Sequence, residues 1–387
     1  MIIAAYWSLM QYKRRISYNI GYSELAVVEK FDLVVAIYAM GIPPVSYVNP
    51  PLTPPTSDTS SFQVARVLRL FRSRQDGRLI TKQPWTQIQL APGEYEDIER
   101  RIEEDESFHA YVENKIRYDY DAHAQRITIR MPTTLHERFT AAVEEDIVGQ
   151  LKTIGMGLGR AAQFARDVRD VRSSRIFLAS DESRSSRSKR EPDASFRHID
   201  AEFPGVVVEV SYSQKREDLA RLADDYLLGS DGSTRVLIGL DIEYRGSRKA
   251  TVSMWRPQYI MNAEQEELRA VQTVQNEFTK LRQVFRNEDG APSGNFDLRL
   301  HLKDFANEEL AEDVGDQDRE IIISSQQLCV YLADAERFEQ GSRRSHSSRH
   351  TIRPGAVKRP RSETPPTSID VVELKSRPSN SVISPLN

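Results

Sequence analysis

The feature that most constrains the fold of this chain is a run of valines interrupted by a single acid. Residues 204–213 read Pro-Gly-Val-Val-Val-Glu-Val-Ser-Tyr-Ser, with the acid at Glu209. An apolar β-branched run bounded by turn residues predicts a buried strand. A lone carboxylate is costly to bury unless it is paired or coordinates a metal. Glu209 is therefore predicted to have a specific partner.

A second acid, Asp193, follows Pro192 and opens the preceding predicted strand. Two acids near strand ends, joined by a turn, indicate a site for a hard cation with oxygen ligands. The competing interpretation is that Asp193 is an ordinary aspartate at a strand edge and Glu209 an acid on a half-exposed strand face.

The segments around the two acids have regular patterns of polar and apolar residues. Residues 115–120 and 126–131 have the alternation of a hairpin, and an amphipathic helix capped at Thr133 follows. Its apolar residues recur every four positions, at Leu135, Phe139, Val143, Ile147 and Leu151. Strands are predicted at 174–179, 191–197, 205–212, 235–244 and 250–255, with a helix at 214–228. The order α-β-β-β-α-β-β predicts an α/β (α+β) fold, a mixed sheet flanked by helices.

Composition divides the chain into four predicted regions. The predicted core, residues 93–260, is followed by a C-terminal region for which we predict a long polar helix at 263–286 and strands at 296–302 and 321–332. Within the core, the charged stretch 93–114 is predicted to be a solvated helix, and 181–191 a polar loop. The regions are an N-terminal extension at 1–92 with a Pro-rich linker at 42–61, the core at 93–260, the C-terminal region at 261–340 and a disordered tail at 341–387.

Composition also indicates the cellular compartment in which the protein is expected. Cys329 is the single cysteine, which excludes a disulfide within the chain and favours a reducing environment. No apolar run reaches the roughly 18 residues that span a bilayer, so a membrane partner is not predicted. We expect an intracellular protein. Lys358, Arg359 and Arg361 are similar to a short nuclear-import signal, and without such import we expect the cytoplasm.

The element order and its acids resemble the PD-(D/E)XK nuclease superfamily, and in particular the Uma2-type restriction-endonuclease-like proteins. The resemblance covers about 126–256. The residues that carry it are Pro192-Asp193, Glu209-Val210 with Ser211 and Ser213, the helical Asp218 and Tyr226, and His136 on the first helix.

This resemblance implies metal-dependent hydrolysis of phosphodiesters, with Mg²⁺ or Mn²⁺ as the cofactor. Asp193 and Glu209 would supply carboxylate oxygens and Val210 a backbone carbonyl. The superfamily commonly has a lysine two residues after the glutamate, where this chain has Ser211. Lys215 is the preferred substitute and Arg221 the second, because the pKa of a lysine can be lowered and that of an arginine cannot.

Other residues complete the prediction. Glu144 is the best third ligand, since it lies at the edge of the apolar helix face, and Glu137 is second. His136, Asp218 and Tyr226 are predicted to pack or cap rather than to react. Nucleic acid is the predicted partner, DNA more than RNA, through basic residues of the 181–191 loop: Arg184, Arg187, Lys189 and Arg190. The alternative to a nuclease is an inactive nuclease-fold protein that serves as an interaction or nucleic-acid-binding module.

Overall fold

The fold is described from a computed structural model. The residues that it describes belong to one compact unit that begins at Ser61. They are residues 61–78, 85–179, 187–212, 216–243, 246–262, 265–273, 283–315, 317–347 and 355–356. The linker at 42–60, Arg184, Lys215 and the segment 358–361 lie outside the described residues.

Eight α-helices and fourteen strands lie in this described part. The helices are α1 Phe62–Gln75, α2 Glu94–Glu103, α3 Glu106–Lys115, α4 Thr134–Gly155, α5 Arg160–Asp167, α6 Arg216–Gly229, α7 Glu308–Ala311 and α8 Ser325–Ser347. The strands are β1 Trp85–Gln89, β2 Arg117–Asp121, β3 Arg126–Arg130, β4 Val168–Asp170, β5 Ile176–Ala179, β6 Arg187–Arg190, β7 Ala194–His198, β8 Val206–Tyr212, β9 Val236–Ile242, β10 Ala250–Asn262, β11 Gln265–Thr273, β12 Gln283–Arg286, β13 Asp297–His301 and β14 Glu320–Ser324. Among these helices, each is too short or too polar to span a bilayer.

Two sheets carry the fold. The large sheet has the order β11-β10-β9-β8-β7-β4, with β12 also paired to β10, and the small sheet has the order β1-β3-β2-β6-β5. In the large sheet, β8 and β9 are parallel and β7 and β8 antiparallel. The strands β13 and β14 form a separate pair.

The valine strand β8 lies in the interior of the large sheet, as its composition predicts. Val206, Val208 and Val210 pack into the cluster that includes α4 and α8. Val207 points the other way, into the cluster that includes α6. Because side chains alternate along a strand, Glu209 shares the face of Val207. A mixed sheet flanked by helices is therefore confirmed as the fold class.

Several elements differ from the prediction. Within 263–286 the described residues form the strands β11 and β12 rather than a polar helix, because both pair with β10 and tertiary pairing outweighs helical composition. Part of the predicted loop is the strand β6. The strand predicted at 321–332 ends at Ser324, and the helix α8 that follows reaches Ser347, inside the predicted tail.

The charged segment 93–114 also differs from the single solvated helix predicted for it. It forms the helices α2 and α3, which are amphipathic rather than solvated on all sides. They bury Tyr95, Ile98 and Phe108 against the small sheet in a separate apolar cluster.

Candidate functional site

The two predicted acids line the same cleft, which has a volume of about 100 Å³ and lies between the small and large sheets. Asp193 directly precedes β7, and Ala194 pairs with Val208 of β8. Continuing this antiparallel register by one residue places Asp193 opposite Glu209, on the same face. The pairing of the strands therefore brings the acids together.

The hairpin β2–β3 supplies the opposite wall. Its alternating pattern directs charged residues to the cleft, whereas its apolar residues, such as Tyr118 and Ile127, pack with α1, α2 and α3. The charged groups that line the cleft are Arg117, Asp119, Asp121, Arg126, Arg130, His136, Arg190, Asp193, Glu209 and Arg221.

Asp193 is held by four groups. Its Oδ2 accepts a hydrogen bond from the Val210 N–H at 2.7 Å and lies 3.0 Å from His136 Nε2. Its Oδ1 lies 3.0 Å from Arg117 Nη2 and 3.4 Å from Arg130 Nη1. Burial raises the pKa of Asp193, but the charge and hydrogen bond of His136 and the two arginines outweigh it and lower the pKa below its usual range.

Glu209 is buried on the neighbouring strand. Its Oε2 accepts from Arg130 Nη1 at 3.0 Å, and its Oε1 accepts from Arg130 Nη2 at 3.4 Å and from the Tyr226 hydroxyl at 2.7 Å. Burial raises the pKa of this carboxyl to about 7, because the nearby carboxylates add to the effect of burial and Arg130 offsets it in part. Tyr226 thus connects α6 to the acid pair.

Arg130 is the centre of the site. Its Nε donates to Asp119 Oδ2 at 2.5 Å, and its Nη1 contacts both Asp193 and Glu209. Burial lowers the pKa of Arg130, but Asp119, Glu209 and Asp193 raise it overall, so the guanidinium stays charged. The two acids are therefore within reach of one cation, and that cation is a side chain.

Arg130 occupies the position between the two acids at which Mg²⁺ or Mn²⁺ is predicted. Within the described ranges, no three His, Cys, Asp or Glu side chains are grouped to hold a metal ion. The oxygens of Asp193 and Glu209 that would bind the metal contact Arg130 Nη1 instead, at 3.4 and 3.0 Å. A divalent cation at this point would have to displace Arg130. Val210 contributes its N–H to Asp193, and the predicted metal contact through its carbonyl stays a prediction.

The helix α4 does not bring Glu144 close to Asp193 and Glu209. Glu144 follows His136 by eight positions, which is about 12 Å along a helix. It lies 3.6 Å from Arg172 Nε and beside Asp170. Burial, together with the hydrogen bond and charge of Asp170, raises the pKa of Glu144 to about 8. Glu137, the second choice, lies 3.3 Å from Arg117, which is itself a partner of Asp193.

His136 and Tyr226 have more specific roles than the predicted packing. Both side chains are buried, and each contacts one acid of the pair. Burial lowers the pKa of His136, but the charge and hydrogen bond of Asp193 raise it overall. The side chain of Asp218 lies outside what the structure describes.

Of the two proposed substitutes for the missing lysine, only Arg221 is among the described residues. Ser211 Oγ donates to Asp241 Oδ1 at 3.1 Å. Lys215 lies outside the described residues, and its role stays a prediction. Arg221 forms an ion pair with Asp121, a different acid of the cleft.

The prediction of a basic loop is wrong for Arg187, Lys189 and Arg190, which all lie in the strand β6, although Arg187 is exposed as predicted. Lys189 and Arg190 lie in β6 and are each about 2% exposed. Lys189 Nζ lies 3.2 Å from Glu191 Oε1, and Arg190 Nη2 lies 2.5 Å from Asp225 Oδ2. Both cations are thus buried in internal ion pairs, because β6 belongs to the small sheet and the elements that pack against this sheet cover their side chains.

The prediction from sequence missed Arg117, Asp119 and Arg130. The available signal was the alternation of charged residues along both strands of the hairpin. Charged residues on a hairpin face usually contact solvent, and here the second sheet covers them. No protein-family model matches this chain, and no curated protein is detectably similar to it.

Proposed function

We propose that this protein binds nucleic acid through the cleft, on a nuclease-like core, without hydrolysing it. The observation that carries the proposal is the charge of the cleft. Among the described residues, five arginines and four carboxylates line it, which gives a formal charge of +1, or +2 with His136 protonated as its raised pKa favours. A positively charged wall favours a phosphate over a divalent cation.

The order of the core elements supports a nuclease-like framework. The helix α4 precedes the antiparallel strands β7 and β8, and α6 connects β8 to the parallel strand β9. These elements follow the order that the resemblance implies, but α5, β4, β5 and β6 lie between α4 and β7, and β5 and β6 belong to the small sheet. Ser211, bonded to Asp241, takes the place of the lysine that orients water in that superfamily.

Two arginines are best placed to contact a phosphate. The side chains of Arg221 and Arg126 are 36% and 26% exposed, the most open of those arginines that line the cleft. Both lie near Asp121, away from Arg130. Contacts of this kind position a nucleic acid without reading its sequence.

Fluorescence anisotropy with duplex DNA, single-stranded DNA and RNA at several salt concentrations tests the proposal. We expect affinity to fall with salt, since each neutralised phosphate contributes about 0.9 to the log–log slope on duplex DNA. Arg126→Ala and Arg221→Ala should each weaken binding and reduce that slope by about 1. Arg299→Ala, an exposed arginine of β13 outside the cleft lining, is the matched control. The proposal is wrong if no nucleic acid binds, or if the control weakens binding as much as the cleft variants.

A metal-dependent nuclease is the second candidate, and the convergence of Asp193 and Glu209 on Arg130 Nη1 favours it. It would require Mg²⁺ or Mn²⁺ at the acids in place of Arg130. The test is a cleavage assay on the same substrates with each metal. Cleavage that both Asp193→Asn and Glu209→Gln abolish would establish this candidate in place of the non-hydrolytic one.

A further inference from the structure

The acid pair already has a cation at its centre. Arg130 Nη1 lies within 3.4 Å of an oxygen of each acid, and Arg130 Nη2 makes a second contact with Glu209. We infer that Arg130 is the resident cation of this pair, and that it excludes divalent metal ions from the wild-type protein. Arg130 would have this role whether or not the cleft binds nucleic acid.

The hairpin fixes the guanidinium in place. Arg130 is paired with Arg117 in the register of β2 and β3, and its Nε is held by Asp119 of the same hairpin at 2.5 Å. Its side chain is 15% exposed. A cation that is part of the chain does not lose translational freedom on binding, whereas a metal ion from solution does. An ion must also displace the two hydrogen bonds to Glu209.

Removal of Arg130 would leave the two acids with different partners. Asp193 would keep Arg117, His136 and the Val210 N–H. Glu209 would keep the Tyr226 hydroxyl, a neutral group. Breaking a buried ion pair leaves a carboxylate that must acquire a proton or another cation. With the guanidinium gone, Asp193 and Glu209 border a space that a hydrated divalent ion can enter.

The test is Mn²⁺ binding to the full chain. It is measured by calorimetry and by the electron paramagnetic resonance signal of free Mn²⁺. We expect Arg130→Ala to bind Mn²⁺ at least 10-fold more tightly than the wild type, and Arg130→Ala/Glu209→Gln to lose that gain. Arg299→Ala is the matched control, because Arg299 is an exposed arginine that pairs with Asp297 and Glu320 and does not line the cleft. It should behave as the wild type does.

The wild type provides a measurement that does not depend on the folding of any arginine variant. Mn²⁺ binding by the wild type that Glu209→Gln removes would refute the role of Arg130 as the excluding cation. Weak wild-type binding that Glu209→Gln leaves unchanged supports it. A folded Arg130→Ala variant with wild-type affinity for Mn²⁺ would also overturn the inference. Nucleic-acid binding is measured separately, so failure of the proposed function would be distinguishable from either result.

Discussion

The hydrogen bond from Tyr226 to Glu209 offers a sharp test of the site. Tyr226→Phe removes the hydroxyl that donates to Glu209 Oε1 at 2.7 Å and changes little else, because the ring is fully buried. A hydrogen bond to a charged group contributes about 1.5–3 kcal/mol. Glu209 is largely ionised above its pKa of about 7. At pH 8 we therefore expect a loss of about 2 kcal/mol in the free energy of unfolding.

The measurement is urea denaturation at pH 8 and pH 6, with unchanged m-values as the condition for comparison. At pH 6 Glu209 is largely protonated, and the loss should shrink to about 1 kcal/mol, as for a neutral acceptor. Tyr331→Phe is the matched control. Its hydroxyl donates to Asp146 Oδ2 at 2.8 Å, but the residue is only half-buried, so water can replace the bond. Equal losses in the two variants, or no difference between the two pH values for Tyr226→Phe, would refute the reasoning.

Two further predictions concern stability. The pKa of Glu144 rises from 4.5 to about 8 on folding, so the folded state binds this proton more tightly and the free energy of unfolding should fall as pH rises across that window. Glu144→Gln should therefore flatten the decline in Tm between pH 5 and 9. A pH profile of Tm that is unchanged in the variant would count against this role of Glu144. A Cβ at Gly205 would collide with the backbone around Phe305, whereas one at Gly149, in α4, meets nothing within 4 Å. Gly205→Ala should therefore cost about 2 kcal/mol or more, and Gly149→Ala should stabilise by about 0.5–1 kcal/mol; urea denaturation giving the same sign for both would contradict this.

Elements with a strong local pattern could be predicted from the sequence. The four-residue spacing of apolar side chains identified α4, and the valine run identified β8, because burial of one face or both faces requires those patterns. The hairpin β2–β3 was also predicted, since its alternation is local. Beyond β10, the strand predicted at 296–302 is confirmed as β13, but the helix predicted at 263–286 is wrong where the structure describes it. The polar composition of 263–286 suits a helix, and β11 is a strand because it pairs with the long strand β10.

The sequence by itself determined that Glu209 needs a partner, because a carboxylate inside an apolar strand is costly to bury alone whatever the fold. Only the tertiary structure decided what that partner is. Arg130 precedes Glu209 by 79 positions along the chain, and nothing local to either residue specifies the contact. The cation reaches the acids because the small sheet packs beside the large sheet, and the register of its hairpin directs Arg130 and Asp119 into the space between them. Charge neutralisation of buried acids is a requirement that a sequence pattern reveals, whereas the identity of the neutralising group depends on which surfaces meet.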